Sequence, residues 1–512
     1  MRRIGKILTS RLAAFGFVVL CELGLLLTLL LRLSSFSVYF LVFLLAINLL
    51  SMIVVVNSDA NPEYKLTWLS VIVLIPYLGT ALYFLYGKST PTVRERRIIE
   101  DVRENIQNTK RTSFSFFLPD GLSIAAGGKP TSIVSAAENA EVYSGTQAEY
   151  FASGAQMYDR MLSDLKSAEK YIFLEYFIIR PGQMWQGILD ILKEKARTGI
   201  EVRVMYDDVG CMTSLPLNYD KELMAAGISA IRFSKITPSL RYMRRNNSRD
   251  HRKLMIIDGK VAYTGGVNIG DEYIGLDMRY GLWRDSGIRL LGKAAEGFAA
   301  LFLEQWGISS GHIEAVGNYF GTGDGVRGDG GYYLPFGSGP CPVYKSSVGK
   351  RAIIDIINSA KRYVYIFTPY LIIDFDLTEA LLGAALRGVD IRIITPGVPD
   401  KPIVRLLTRG SYPTLLSGGI KIFEYTPGFL HAKSLVADDT YAIVGTINLD
   451  YRSLVHHYEN AVWIYSSPVV SDIKNDFLSV MQSSERVTPE KTRAHAPGII
   501  FRSLLRLFAP LF

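Results

Sequence analysis

Three long apolar runs open the chain, and shorter alternating segments fill the rest. Leu12–Leu31 is apolar apart from Glu22 and Thr28, Phe36–Val56 apart from Ser37, Asn48 and Ser51, and Leu66–Tyr86 carries Pro76 near its middle. Each run is about 20 residues, the length at which a helix spans roughly 30 Å of hydrocarbon. No small-residue cleavage site follows the first, so the pattern is not that of a cleaved signal peptide. Basic residues flank the region on both sides, with Arg2, Arg3, Lys6 and Arg11 ahead of it and Lys88, Arg94, Arg96 and Arg97 behind. Three full crossings would put these clusters on opposite faces of a membrane, against the positive-inside bias. Two crossings remove the conflict, with the first run interfacial, re-entrant or a third helix. Residues 1–88 are expected to form a multi-pass region in the cell membrane, and 89–137 a linker.

From about residue 140 the periodicity changes. Short β-rich runs (Tyr171–Phe177, Glu201–Tyr206, Ala230–Phe233) alternate with helical stretches such as Met184–Arg197, the order of an α/β chain. The same order then returns. Lys170-Tyr-Ile-Phe matches Arg362-Tyr-Val-Tyr, Gly199-Ile-Glu-Val-Arg-Val matches Gly388-Val-Asp-Ile-Arg-Ile, and Gly227-Ile-Ser-Ala-Ile matches Gly419-Ile-Lys-Ile-Phe. An internal repeat of this kind predicts two equivalent lobes, 138–330 and 331–490. The glycine-rich piece Gly321–Gly331 lacks the strand before and helix after that a nucleotide-binding loop needs, and reads as an interlobe loop. The tail, 491–512, places Arg502 and Arg506 four apart among leucines and phenylalanines. That spacing fits an amphipathic helix on an anionic membrane or, equally, a terminal helix docked on the protein.

Composition narrows the partners. Of 512 residues, 49% are hydrophobic and 20% charged, which excludes a disordered or fibrous chain. The net charge of +8 points to an anionic partner, either nucleic acid or an acidic membrane surface. Cys21, Cys211 and Cys341 are odd in number and far apart, so they make neither a disulfide framework nor a CxxC metal site. They fit a reducing compartment, hence cytoplasmic lobes.

The candidate chemistry lies in the repeat. His251-Arg-Lys253-Leu-Met-Ile-Ile-Asp258 and His431-Ala-Lys433-Ser-Leu-Val-Ala-Asp438 both read HxKxxxxD. Each continues to a glycine fourteen residues after the histidine (Gly265, Gly445) and an asparagine seventeen after it (Asn268, Asn448). A lone HxK on an apolar strand carries little weight, but two copies in register hold two of the chain's six histidines. Strand alternation turns each His and Lys to one side. Lobes paired about a pseudo-twofold axis would bring two His, two Lys and two Asn together. Such a pocket of donors and positive charge suits a phosphodiester anion. One imidazole can attack phosphorus and form a phosphohistidine, while the other protonates the leaving oxygen and later deprotonates the acceptor. No metal or other cofactor is needed, because the lysines supply the charge. Asp258 and Asp438 complete the candidate catalytic set, although their place further along the strands fits a salt bridge or turn. Asp285 and Glu459 each precede a β-like run in corresponding parts of the lobes, and are the candidate orienting partners of His251 and His431.

The paired motifs, with their GGxN and GTxN followers, resemble the phospholipase D superfamily. The longer strings His251–Lys260, Thr264–Tyr273, Thr368-Pro369-Tyr370 and Asn448–Ser453, with the segment Asn61–Lys88, look like bacterial cardiolipin synthases over nearly the whole chain. The resemblance implies two phospholipase D-like lobes with mixed β-sheets flanked by helices. It also implies a reaction that joins two phosphatidylglycerol molecules into cardiolipin and releases glycerol. His251 would be the nucleophile and His431 the general acid and base, with Lys253, Lys433, Asn268 and Asn448 gripping the phosphate. Besides Leu371-Ile-Ile-Asp374, where a proline often precedes the aspartate in the family, and a longer glycine-rich interlobe loop, one stretch departs from the family: Leu454-Val-His456-His457-Tyr-Glu. Its histidines are expected at the surface, with an altered acceptor choice as the alternative.

Arg241, Arg244, Arg245, Arg249 and Arg252 crowd the approach to the first motif. They would draw anionic headgroups toward a cleft, or form a solvated loop. The expected partners are therefore an anionic phospholipid and a membrane. Water in place of the lipid alcohol would make a phospholipase D-type hydrolase, and another alcohol a different transferase. A nuclease, with nucleic acid as partner, fits less well, since the hairpin and tail place the cleft at lipid and exposed aromatic–basic alternation is scarce. A non-catalytic scaffold has no physical need for both His–Lys pairs.

Overall fold

The computed structural model describes residues 38–87, 93–113, 141–236, 248–312, 314–321, 323, 325–340, 343–344, 347–492, 503 and 505–511, together with Gly24 and Thr28. The remainder of the first apolar run, Arg241, Arg244 and Arg245, and Arg502 in the tail lie outside the described residues.

β1 (Thr146–Phe151), β2 (Tyr171–Tyr176), β3 (Glu201–Asp207), β4 (Ser229–Phe233), β5 (Lys253–Ile257), β6 (Val261–Gly265) and β7 (Gly287–Gly292) form one sheet in the order β1-β7-β6-β5-β2-β3-β4. β2, β3 and β4 run parallel, and β5, β6, β7 and β1 continue the sheet antiparallel. The helix Gln183–Arg197 carries the chain from β2 to β3, as a parallel pair requires. Every residue of β2 is buried, because helices cover both faces of the centre of the sheet.

The second half repeats the plan. β8 (Tyr332–Ser338), β9 (Tyr363–Phe367), β11 (Asp390–Pro396), β12 (Lys421–Tyr425), β13 (Ser434–Ala437), β14 (Tyr441–Gly445), β16 (Glu459–Tyr465) and β17 (Ser484–Arg486) line up as β17-β12-β11-β9-β13-β14-β16-β8. β9 takes the place of β2, β13 of β5, β14 of β6 and β16 of β7; β17 is an added edge. A separate parallel pair joins β10 (Leu371–Ile372) to β15 (Leu449–Asp450). The fold is therefore α/β, with two mixed sheets and a duplicated domain. The two antiparallel halves face each other, and one hydrophobic core runs through both, from Phe298 and Phe302 to Val462 and Phe477.

Part of the expected linker is structured. Within 89–137, Val93–Ser113 is a helix whose Ile99, Val102 and Ile106 recur at helical spacing and are buried. They pack into the same core as the helix Ala294–Ser310, and a Cβ on Gly307 would come within 3.1 Å of Val102. Arg103 donates to Glu304 at 2.9 Å and fixes the pair.

The expected membrane region differs from its apolar pattern. No helix among the described residues is long and apolar enough to cross a membrane. The second run forms the helix Val38–Val56, but the third is broken. Asn61 caps the helix Pro62–Leu74 through Glu63 N–H at 2.9 Å, with Pro62 in the first turn. Pro76 then ends that helix, Tyr77 turns the chain at φ 68, and a short helix, Leu78–Leu82, resumes. Apolar content predicted a continuous run; the proline removes an amide donor and splits it. The hairpin's polar residues satisfy one another, for Asn48 accepts from Thr80 at 2.6 Å. The hairpin also docks on the second lobe, where Asn61 donates to Asp374 at 2.9 Å and Glu63 accepts from Phe375 N–H at 3.0 Å. Residues 505–511 close the other side: Thr67 donates to the carbonyl of Leu507 and Arg452 to that of Leu511, each at 2.8 Å. Over these residues the tail is docked on the protein.

Candidate active site

The two motifs sit at corresponding positions, just ahead of or at the start of β5 and β13, where the lobes touch. Reciprocal backbone bonds fix them. His251 N–H donates to Tyr458 at 2.9 Å and Tyr458 N–H to Arg249 at 2.8 Å; His431 N–H donates to Arg284 at 2.7 Å and Arg284 N–H to Phe429 at 2.9 Å. Each histidine is thus held by the opposite lobe, in the way a pseudo-twofold axis requires.

Both imidazoles are bonded through Nδ1 and line one cavity of about 540 Å³. His251 Nδ1 donates to Glu459 at 2.9 and 3.0 Å, and His431 Nδ1 to Asp285 at 2.7 Å. The carboxylates are those singled out from the sequence, but the pairing is crossed: each comes from the other lobe. The residues before them explain the GGxN and GTxN spellings. A Cβ on Gly266 would meet Asp285 Oδ1 at 2.0 Å, so only glycine leaves room for that carboxylate. At the matching place in the second lobe, Thr446 donates its hydroxyl to Glu459.

Asn268 and Asn448 line the same cavity. Asn268 accepts from Ile178 N–H at 3.1 Å and donates to Tyr273 at 2.8 Å, whereas Asn448 Oδ1 is buried with no hydrogen-bond partner among the described residues. The lysines stand behind the histidines. Lys253 Nζ donates to the carbonyl of His251 at 2.7 Å, and Lys433 Nζ to that of His431. Asp258 and Asp438 are not brought to the cavity. Each sits at the far end of its strand with φ near +53, and their carboxylates accept the backbone N–H groups of Glu169, Lys170 and Tyr171, and of Lys361, Arg362 and Tyr363. They are turn-forming residues, because a carboxylate gathering three amides at a left-handed corner satisfies backbone that the turn leaves unpaired.

Burial sets the charges. It pushes Lys253 down to about 7 and Lys433 to about 8, against the pull of nearby carboxylates. Burial, then Lys433, lowers His431 to about 4, although Asp285 opposes them. Burial, then Lys253 and His457, holds His251 well below its ordinary value. The two carboxyls diverge. Burial raises Glu459 well above the usual range despite Lys253, whereas at Asp285 burial is outweighed by His431 and Lys433, which keep it ionised.

Several cavity residues carried no readable signal in the sequence. His431 is ringed by Tyr273, Trp283 and Phe429, with ring centroids 5.5–5.8 Å away. His457 stands 5.7 Å from His251, buried, with neither ring nitrogen hydrogen-bonded among the described residues. This corrects the expected surface placement of His457; His456 is half-buried, packed on Tyr64 of the hairpin at 5.0 Å. The HH pair was the only cue. Arg249 and Arg452 also line the cavity. Arg252, expected on the approach, is fully buried, donating to Tyr344 at 2.8 Å and facing Glu175 at 3.6 Å. His251, His457 and Glu459 have ligand atoms within 4.8 Å of one another and are the described residues able to hold a metal ion together.

Two duplicated lobes that share one cavity, each orienting the other's histidine, place the protein in the phospholipase D superfamily. The family model described as "Cardiolipin synthase, PLD-like domain" matches residues 161–301 and 353–481, and one described as "Phospholipase_D-nuclease N-terminal" matches 46–88. The chain is 32% identical to a cardiolipin synthase of Halalkalibacterium halodurans over 469 residues and 33% identical to that of Alkalihalophilus pseudofirmus over 475, in both cases covering 90% of this chain and 91% of the relative. It is 40% identical over 481 residues to an uncharacterised protein of Streptococcus mutans, covering 90% and 99% of the two chains. The crystal structure of a phosphatidylserine synthase from Haemophilus influenzae shares the fold, with a TM-score of 0.56, 14% identity and coverage of 74% and 97%. The chain belongs to the cardiolipin synthase family of enzymes.

Proposed function

We propose that the protein is a membrane-associated phosphatidyltransferase that joins two phosphatidylglycerol molecules into cardiolipin and glycerol through a phosphohistidine. The observation that carries this reading is the pair of Nδ1-anchored imidazoles on one cavity, since anchoring Nδ1 leaves Nε2 of each free to face a phosphodiester.

In the first step Nε2 of His251 attacks the donor phosphorus, a P–N bond forms, and the P–O bond to the headgroup glycerol breaks. His431 gives the leaving oxygen its proton. In the second step His431 removes the proton from a hydroxyl of the second phosphatidylglycerol, whose oxygen displaces His251 from phosphorus. The division of labour has support in the electrostatics. Asp285 stays ionised and can stabilise an imidazolium at His431, while Glu459 is pushed toward its neutral form and leaves His251 an uncharged nucleophile. Burial biases both imidazoles toward the neutral form. A phosphodiester anion about 4 Å from His431 adds roughly 4 kcal/mol of attraction at an effective dielectric near 20, or about three pKa units, which brings the acid into the neutral range. Lys253, Lys433, Asn268 and Asn448 supply donors and field for the anion, with no step that needs a metal.

Membrane association rests on the hairpin, where Tyr39, Val42, Phe43, Leu49, Leu50 and Ile53 lie exposed along one helix. A patch of that kind is stable against lipid rather than water. Cytoplasmic lobes remain part of the reading, whereas the two crossings do not, since no helix among the described residues is long and apolar enough to span a membrane. Rapid acid-free quenching with phosphorus-labelled phosphatidylglycerol tests the mechanism: label should be found on His251, and label on another residue, or none in any variant, rejects it.

A further inference from the structure

A second cavity, of about 530 Å³, adjoins the first. Leu66 of the hairpin, Leu407, Tyr451, Leu505 and Ala509 make it mostly apolar, while Arg506 supplies a cation and Glu63 a carboxylate. Three features tie it to the catalytic cavity. Ile372 lines both. Asp450 faces the catalytic side, while the next residue, Tyr451, faces the apolar side. The helix Pro402–Ser417 likewise sends Val404 to one and Leu407 to the other. The two spaces are therefore neighbours that share a lining residue.

We propose that this cavity holds an acyl chain of the phospholipid whose headgroup occupies the catalytic cavity. The inference rests on the phosphatidyl-transfer reading and adds where the hydrophobic part of the substrate goes. The volume falls within the roughly 300–1,000 Å³ of ligand sites, and a mostly apolar lining with a few polar groups is what such sites present. Arg506 complements the anionic phosphate side of the lipid. Leu66 is 56% exposed, so the cavity borders the hairpin's apolar outer surface, and a chain can enter from lipid without crossing water.

Gly410 gives a clean test. It lies within the helix Pro402–Ser417, lines the cavity, and a Cβ there meets nothing within 4 Å. Gly410→Phe fills the space without backbone strain, and removing a glycine from a helix interior favours folding. The expected result is a fall of at least tenfold in kcat/KM for dioleoyl phosphatidylglycerol, with dibutanoyl phosphatidylglycerol within twofold of the unsubstituted protein and Tm unchanged or higher. Equal turnover of the long-chain lipid overturns the proposal, as does an equal loss on both lipids at unchanged Tm. Phosphatidylglycerol with a diazirine at the end of one chain separates this from the reaction itself. Crosslinks should fall on 402–417 or 505–511, and their absence rejects the acyl site even if cardiolipin is made. No cardiolipin from the unsubstituted protein, with those crosslinks present, rejects the transfer reading and leaves the acyl site standing.

Discussion

Asp285→Asn removes one charge from the buried pair that holds His431 while keeping the shape of the side chain. In the structure Asp285 Oδ2 takes the Nδ1 proton at 2.7 Å, and Oδ1 takes Ser286 N–H at 2.8 Å, so the amide can retain part of this geometry. What it loses is attraction for an imidazolium. With charge centres about 4 Å apart and an effective dielectric near 20, that attraction is roughly 4 kcal/mol, or about three pKa units; water entering the cavity trims it toward two. The sign follows. Asp285 raises the proton affinity of His431, so its removal lowers it, and the protonated acid needed for glycerol release is lost at lower pH. The alkaline limb of kcat, which reports the substrate-bound state, should move down by about two to three pH units, and turnover at neutral pH should fall about 10²–10³-fold, in the range ascribed to general acid catalysis. The assay is glycerol release from phosphatidylglycerol vesicles between pH 5 and 9. A variant that keeps the pH profile and stays within threefold in rate would refute the acid–base role of His431.

Other outcomes follow from the same geometry. His251→Ala and His431→Ala should each lower turnover by at least about 10³-fold with an unchanged circular dichroism spectrum, because each removes one half of the proton and phosphoryl relay. Asp258→Asn tolerates the left-handed φ but weakens the bonds to three backbone amides; it should cost about 1–3 kcal/mol in stability, seen as a lower Tm, with kcat per folded molecule unchanged. His457→Phe removes from the cavity two ring nitrogens that make no hydrogen bond among the described residues and should raise KM by about tenfold with a smaller change in kcat, measured by initial rates against lipid mole fraction. A chelator such as EDTA should leave the rate unchanged, and a rate restored only by added metal would show that the metal-capable trio His251, His457 and Glu459 is used.

The duplicated sheets were legible in the sequence because each lobe repeats strand, helix and motif in one order, and the matched positions of the two motifs pointed to one shared site if the lobes pair. What the sequence could not show was contact between lobes. Asp285 and Glu459 stood out by position, yet their crossed pairing is a property of the interface, where β6 and β7 meet β14 and β16. Arg252 read as a surface charge because its compensating groups, Glu175 and Tyr344, lie far away in the chain. His456 and His457 read as exposed for the same reason; what partly covers His456 is Tyr64, in the hairpin. The hairpin shows the converse. Its apolar content suggested long continuous helices, while Pro76, visible in the sequence, decides where the helix stops.

The central claim is tested most directly with the purified protein and phosphatidylglycerol alone, without nucleotide or added metal, following lipids and free glycerol by mass spectrometry. The account predicts cardiolipin and glycerol in equal amounts. Phosphatidic acid with glycerol, and no cardiolipin, would mean that water resolves the intermediate and would contradict it.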